Sequence, residues 1–384
     1  MHILWISEFG SFVGGCERYV SRTVALLRER GARASFLYDA SQPSDTAYLR
    51  HFDAAFPMAD LGRQVAAIRP DLVYVHRLSG AAPAAALGAT SRPTFRFFHD
   101  HQLFCLREHK YTTIRHRTCT RTVGPACYPC LGFVNRSKGW PGVRLRSVAH
   151  IRREQAANRG LTGFVVGSRY MAEHVAAHGF SRERIHVVPL FADPPAPLAP
   201  AERERGLLLF VGQIVRGKGL DVLLHALALC KAPLRLVVAG AGRQEAPHRQ
   251  LAARLGLADR VSWTGLLRGE DVETLYRRAA CVVVPSRRPE TFGLVGPEAM
   301  RYGTPVIATT IGGVGEWLVH GETGLGVPSD DPRALASEIE RLHGDPALWE
   351  RLSQGARARY EARFRPEQHV EALLALFQAA AGAA

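Results

Sequence analysis

The chain has 384 residues, 47% of them apolar, and a formal net charge of +14. That length suits two domains, each with its own core. No apolar run reaches the roughly eighteen residues of a membrane-spanning helix, and the start of the chain lacks the basic and cleavage regions of a signal peptide, so a cytoplasmic protein is expected.

The chain enters a strand-like run at once, Ile3-Leu4-Trp5-Ile6. Further strand-like runs at 34–38, 72–76, 94–98, 163–167 and 185–188 alternate with helical patterns such as 16–30 and 169–178. After a Pro-rich stretch, Asp193-Pro194-Pro195-Ala196-Pro197-Leu198-Ala199-Pro200, the alternation resumes. Its strands fall at 207–211, 234–239, 260–263, 281–284 and 305–308, with helical patterns at 219–230 and 270–279. Short buried strands alternating with helices predict parallel sheets covered on both faces. The expectation is therefore α/β: two facing, doubly wound Rossmann-like domains, 1–190 and 191–365, with ligands in the cleft at their strand ends. The Ala-rich tail 366–384 is expected to be a helix that packs back on the N-terminal domain.

The charge is uneven. Residues 1–190 hold 26 Lys and Arg against 13 Asp and Glu, and residues 101–160 alone hold 12 against 2. Such a stretch is either a solvated basic face or a patch for anionic lipid or phosphate. The segment carries Phe104, Tyr111, Tyr128 and Phe133 but no recognisable nucleic-acid fold, so nucleic acid is not an expected partner. Cys16, Cys230 and Cys281 sit in helix- or strand-like runs and read as core residues.

Three segments carry chemistry. Gly14-Gly15, with Glu17, joins the first strand to the first helix, as a plain turn or as an anion-binding helix start. The run Val211-Gly212-Gln213-Ile214-Val215-Arg216-Gly217-Lys218-Gly219 leaves a strand and enters a helix, bringing two cations to a place suited to a diphosphate. It is no Walker loop, because Gly219 stands where Ser or Thr is required. The run 285–300 spaces Glu290 and Glu298 around the turn Phe292-Gly293-Leu294. Ionised carboxylates accept hydrogen bonds only, which suits sugar diols; helix-capping acids are the other reading.

The frame Pro285-Ser286-x3-Glu290-x-Phe292-Gly293-Leu294-x3-Glu298-Ala299-Met300 resembles the signature of the family-4 retaining glycosyltransferases of GT-B fold. The segments 211–219, 237–242 and 303–308 resemble further stretches of that family, and Gly14-Gly15 its N-terminal loop. The resemblance implies transfer of a hexose-type sugar from a nucleoside-diphosphate sugar, most commonly a UDP-sugar, to a hydroxyl acceptor, without a catalytic metal. It implies that Glu290 binds the donor sugar, that Phe292, Gly293 and Leu294 offer backbone contacts, and that Glu298 holds the ribose. Lys218 would neutralise the leaving diphosphate, Gly15 would donate to it, and His99 would lie beside the sugar. The family's Arg after Gly212 is replaced by Gln213, with Arg216 as the substitute. A cell-surface polysaccharide or glycolipid intermediate, lipid-linked or phosphate-bearing, is the expected acceptor, and the inner membrane face an expected peripheral location. A sugar-nucleotide epimerase and a non-catalytic sugar-nucleotide or polyanion binder are the alternatives.

A basic insertion, 101–145, follows His99. It carries Cys105, Cys119, Cys127 and Cys130, the last two at a spacing that lets two thiolates meet one metal. A structural zinc on these four is one reading; free thiols or reversible disulfides are the other, and His101, His109 and His116 stand near enough in sequence to serve as ligands.

Overall fold

A computed structural model of the chain describes residues 1–113, 118–136, 142–195, 202–267 and 269–382. The chain forms two compact units. The first takes the chain up to Val188, apart from a short segment that includes Thr118 and Cys119, together with the residues from Glu367 on; the second takes Thr118, Cys119 and Pro189–Pro366. The boundary falls at Pro189, just before the Pro-rich stretch, whose residues 196–200 lie outside the described residues, as does His116.

The first unit is built on the strands β1 (His2–Ile6), β2 (Arg33–Tyr38), β3 (Ala54–Pro57), β4 (Leu72–Val75) and β5 (Thr94–Phe97). A separate hairpin of β6 (Val134–Arg136) and β7 (Val143–Leu145) precedes β8 (Gly163–Val166) and β9 (Ile185–Val187). The main sheet runs β3-β2-β1-β4-β5-β8-β9, parallel throughout. Parallel strands bury both faces, and β1 shows it: Leu4 and Ile6 join one core with Val73, Val75, Phe164 and Val166, while Trp5 packs edge-on against Tyr74 on the other face. Helix Pro366–Gly382 covers this second face, where Phe377 meets Tyr74 and Phe95 at ring distances of 5.0 and 5.5 Å. His369 Nε2 lies 2.9 Å from the Tyr19 hydroxyl.

Leu106 and Val123 of the insertion form a small core with Val148 and Ile151 of the helix Val148–Asn158 that follows it, and Phe133 and Cys127 pack against that core. Thr118 donates to the Arg287 carbonyl at 3.4 Å, so part of the span expected to belong wholly to the N-terminal domain belongs to the second unit.

The second unit carries β10 (Glu204–Val211), β11 (Arg235–Ala239), β12 (Val261–Gly265), β13 (Ala279–Val284), β14 (Val306–Thr309) and β15 (Gly324–Val327) in the order β12-β11-β10-β13-β14-β15, again parallel. Alternate residues Leu208, Phe210, Leu236, Val238, Cys281 and Val283 form a core with Leu223, Leu227, Ile339 and Leu342. In both sheets the strand order reverses beside the first strand, at β1/β4 and β10/β13. Loops leaving the C-terminal ends of the strands there open a crevice, the usual ligand position in such sheets.

Candidate functional site

In the second unit, the loop after β10 must bend sharply against its neighbours. Gly219 has φ +70, and a Cβ there would lie 1.9 Å from the Pro285 carbonyl oxygen, so only glycine fits. The Gly217 carbonyl accepts the N–H groups of Arg287 and Arg288 at 2.9 and 3.1 Å. These contacts lock the 212–219 loop to the 285–290 loop after β13, and Lys218 meets Glu290.

The Lys218 ammonium is 2.7 Å from Glu290 Oε1, and the buried Ser286 hydroxyl donates to the same oxygen at 2.6 Å. Glu290 is only 8% exposed. Burial pushes its carboxyl up, but the charges of Lys218 and Arg288 and the two hydrogen bonds outweigh burial and hold it at about 2. It is therefore ionised across the neutral range and acts as an acceptor only. Gln213 and Arg216 are exposed and make no side-chain hydrogen bond or ion pair among the described residues. Arg287 is taken, by Asp221 at 2.5 Å and Asp330 at 2.7 Å.

The turn 292–294 rests on Trp317, which is fully buried and donates its indole N–H to the Phe292 carbonyl at 2.8 Å. Gly293 has φ +86, and a Cβ on Gly296 would sit 2.4 Å from the Trp317 ring, so the turn and the ring fit only without side chains. Leu294 begins the short helix Val295–Met300, whose first turn holds Glu298. The Tyr276 hydroxyl donates to Glu298 Oε2 at 2.6 Å. Burial and the Glu298 charge raise the Tyr276 phenol far above its usual range, so it stays a donor and orients the carboxylate.

In the first unit, Gly14 caps helix Gly15–Arg28 with φ −166, an extended backbone open to any residue. Its N–H is already engaged by Glu17 Oε2 at 2.8 Å. A Cβ on Gly15 would meet nothing within 4 Å. Packing does not require these glycines, and the space above them is open. His99 follows β5 with its ring stacked on Phe97 at 4.0 Å, and its Nε2 is 2.8 Å from Nδ1 of His76 at the end of β4. Burial, then the neighbouring charges of His76 and Arg77, lowers His99 well below the ordinary range; burial and Arg96 hold His76 at about 3. Both imidazoles are neutral at physiological pH.

Cys16, His76 and His99 offer ligand atoms within 4.8 Å of one another, and theirs is the sole such group of three among the described residues. The hydrogen bond between the two imidazoles accounts for their closeness. Cys105, Cys119, Cys127 and Cys130 are half-buried and carry no disulfide among the described residues. They form no such group of three among the described residues, and His116 lies outside those residues.

Sequence patterns alone missed Ser286, Tyr276, Trp317 and His76. Ser286 lies inside the 285–300 motif, and His76 ends an apolar strand just as His99 does, so both left a signal. Tyr276 and Trp317 are placed by packing and left none.

The second unit matches the family described as glycosyl transferases group 1 over residues 199–359, and the first matches Glycosyltransferase Family 4 over residues 13–194. A D-inositol 3-phosphate glycosyltransferase of Acidothermus cellulolyticus is 34% identical over 260 residues, 62% of this chain and 56% of that protein. Another, of Thermobispora bispora, is 39% identical over 188 residues, 44% of each chain. The chain thus spans about half the length of the curated relatives it matches. Among solved structures, Anabaena HepE in complex with UDP has a TM-score of 0.74 at 20% identity, covering 99% of this chain and 100% of that one. Sucrose-phosphate synthase from Thermosynechococcus elongatus has a TM-score of 0.72 at 22% identity over 100% of both. At such identities the likeness is one of fold, two Rossmann-like units of GT-B type.

Proposed function

The chain belongs to glycosyltransferase family 4, of GT-B fold, and on that premise we propose that it transfers a hexose-type sugar from a nucleoside-diphosphate sugar to an acceptor hydroxyl with retention at the anomeric carbon. One observation carries the reading: Lys218 and Ser286 converge on an ionised, buried Glu290 beside the 292–294 turn. That cluster joins a cation for a leaving diphosphate to an acceptor for sugar hydroxyls.

In this reading Glu290 holds hydroxyls of the donor sugar, and Phe292, Gly293 and Leu294 offer backbone contacts. Glu298, held by Tyr276, takes the ribose. A UDP donor is favoured, since HepE binds UDP. The bond from the anomeric carbon to the diphosphate oxygen breaks, and the acceptor oxygen bonds to that carbon on the same face. The acceptor's proton passes to the departing diphosphate. Lys218 and Arg216 stabilise the charge that develops on the leaving group, the main source of rate in such a site. Arg216, which has no partner among the described residues, stands in for the cation that Gln213 lacks. Glu290 is no proton donor, because its carboxyl is already ionised. The N–H of Gly15 serves the diphosphate and His99 the donor sugar. No catalytic metal enters this scheme.

The relatives named for D-inositol 3-phosphate act on a phosphorylated polyol, and the basic stretch 101–160 suits an acceptor that likewise bears phosphate, free or lipid-linked. The test is a panel of nucleotide sugars incubated with the protein while nucleoside diphosphate release is followed. Turnover of one donor, lost in Glu290→Ala, supports the reading. Failure to bind any of them refutes it.

A further inference from the structure

Among the described residues, eleven large hydrophobic side chains are exposed, and five of them fall between 128 and 145: Tyr128, Leu131, Val134, Val143 and Leu145. The β6–β7 register explains why. Val134 pairs with Leu145, Asn135 with Arg144 and Arg136 with Val143. Side chains alternate across a strand, so Val134, Val143 and Leu145 share one face and Asn135 takes the other. Asn135 Nδ2 reaches the Leu106 carbonyl at 3.0 Å, and Phe133 packs on the small core that Leu106 and Val123 share with the helix Val148–Asn158. The hairpin is therefore seated by its polar-residue face and turns its apolar face to solvent. Leu145 is 71% exposed and Val143 47%. That inverts the usual order, in which the apolar face of an antiparallel ribbon meets the core.

We infer that this hairpin is a docking surface for an anionic lipid bilayer. Charge selects that partner: the sequence around the hairpin, 101–160, carries 12 basic residues against 2 acidic ones, and of the twelve Lys110 and Arg146 are buried. Anionic headgroups attract such a stretch from within a Debye length, and shallow apolar burial then holds the contact. No helix of the described residues is long and apolar enough to cross a membrane, so the contact is one of lying on the surface. This inference shares the basic stretch 101–160 with the acceptor part of the transfer reading, but uses none of the donor-site residues around Lys218, Glu290 and Glu298.

Co-sedimentation of the full chain with vesicles tests it. The chain is expected to sediment with vesicles of phosphatidylcholine mixed with phosphatidylglycerol and to remain in solution with phosphatidylcholine alone. The double variant V143S/L145S is expected to need about tenfold more lipid, a change of ~1.4 kcal/mol. Leu229→Ser, which removes a side chain of the second unit whose 51% exposure lies between those of Val143 and Leu145, serves as control and is expected to bind as the parent does. An unchanged thermal midpoint shows that the double variant is folded, and an unchanged turnover of any water-soluble acceptor separates docking from catalysis. Equal binding by the double variant, equal binding to neutral lipid, or no binding to anionic vesicles overturns the inference. Failure with lipid combined with loss of a protein contact in the double variant overturns it in favour of a protein partner.

Discussion

Replacing Lys218 with methionine would remove a charge while keeping most of the side-chain volume. In the folded protein Glu290 sits at about 2 rather than 4.5, which corresponds to about 3 kcal/mol of stability at neutral pH. A depressed carboxyl stabilises the fold in full above pH 4.5 and loses that contribution as the pH falls towards about 2. Lys218→Met leaves the carboxylate buried with Ser286 and Arg288 as its remaining support. The expected loss at pH 7 is therefore about 2–3 kcal/mol. Urea unfolding of parent and variant, followed by fluorescence at a series of pH values, reads this directly. The gap between the curves should be widest near neutrality and narrow through the acid window just given. Adding Glu290→Gln to Lys218→Met should recover much of the loss, because the buried charge goes with it. A variant as stable as the parent at pH 7, or a gap that ignores acid, would show that the pair does not govern the Glu290 charge.

Glu298→Gln should weaken binding of a nucleoside diphosphate about tenfold in calorimetry while leaving turnover at saturating donor nearly unchanged, since it loses a charge-assisted contact to a non-reacting group. Gly219→Ala forces a Cβ onto the Pro285 carbonyl at a positive φ and should destabilise the second unit by about 3 kcal/mol or more, seen as a lower melting midpoint. His76→Leu removes the hydrogen bond that orients His99; a fall in turnover of about tenfold is expected, with recovery in His76→Asn, whose amide sits near the position of Nδ1. A thiol reagent added to the native, reduced protein should modify Cys105, Cys119, Cys127 and Cys130 quickly and the buried Cys16, Cys230 and Cys281 slowly. Protection of the first four in the reduced protein would mean that a metal holds them.

The sequence made the two parallel sheets legible because strands such as Ile3–Ile6 and Cys281–Val284 are continuous apolar runs, the pattern of strands buried on both faces. It hid β3 and β15 for the opposite reason. Ala54–Pro57 is small and ends in proline, and Gly324–Val327 is half glycine, so neither has the bulk that marks a strand. The residues of the 285–300 motif were readable because spacing alone joins them. The partnership of Lys218 with Glu290 was not, since 72 residues separate them and only the packing of Gly217 and Gly219 against the 285–288 loop brings them together. In the insertion the cysteines were the readable feature; the small apolar core beside them and the hairpin's outward face were not, because they depend on packing and register, which composition does not reveal.

Helix Pro366–Gly382 closes one face of the first unit with Val370, Leu373 and Phe377, all fully buried. Seen in time rather than in space, this means that a sheet begun at β1 is completed only by residues made hundreds of positions later. The 178 residues of Pro189–Pro366 form a continuous stretch and are able to close while synthesis proceeds, but Trp5, Tyr74 and Phe95 keep an open apolar face until helix Pro366–Gly382 emerges. Loss of that helix would thus injure the first unit, hundreds of residues upstream, and the nascent chain carries a sticky half-finished sheet until the helix is made.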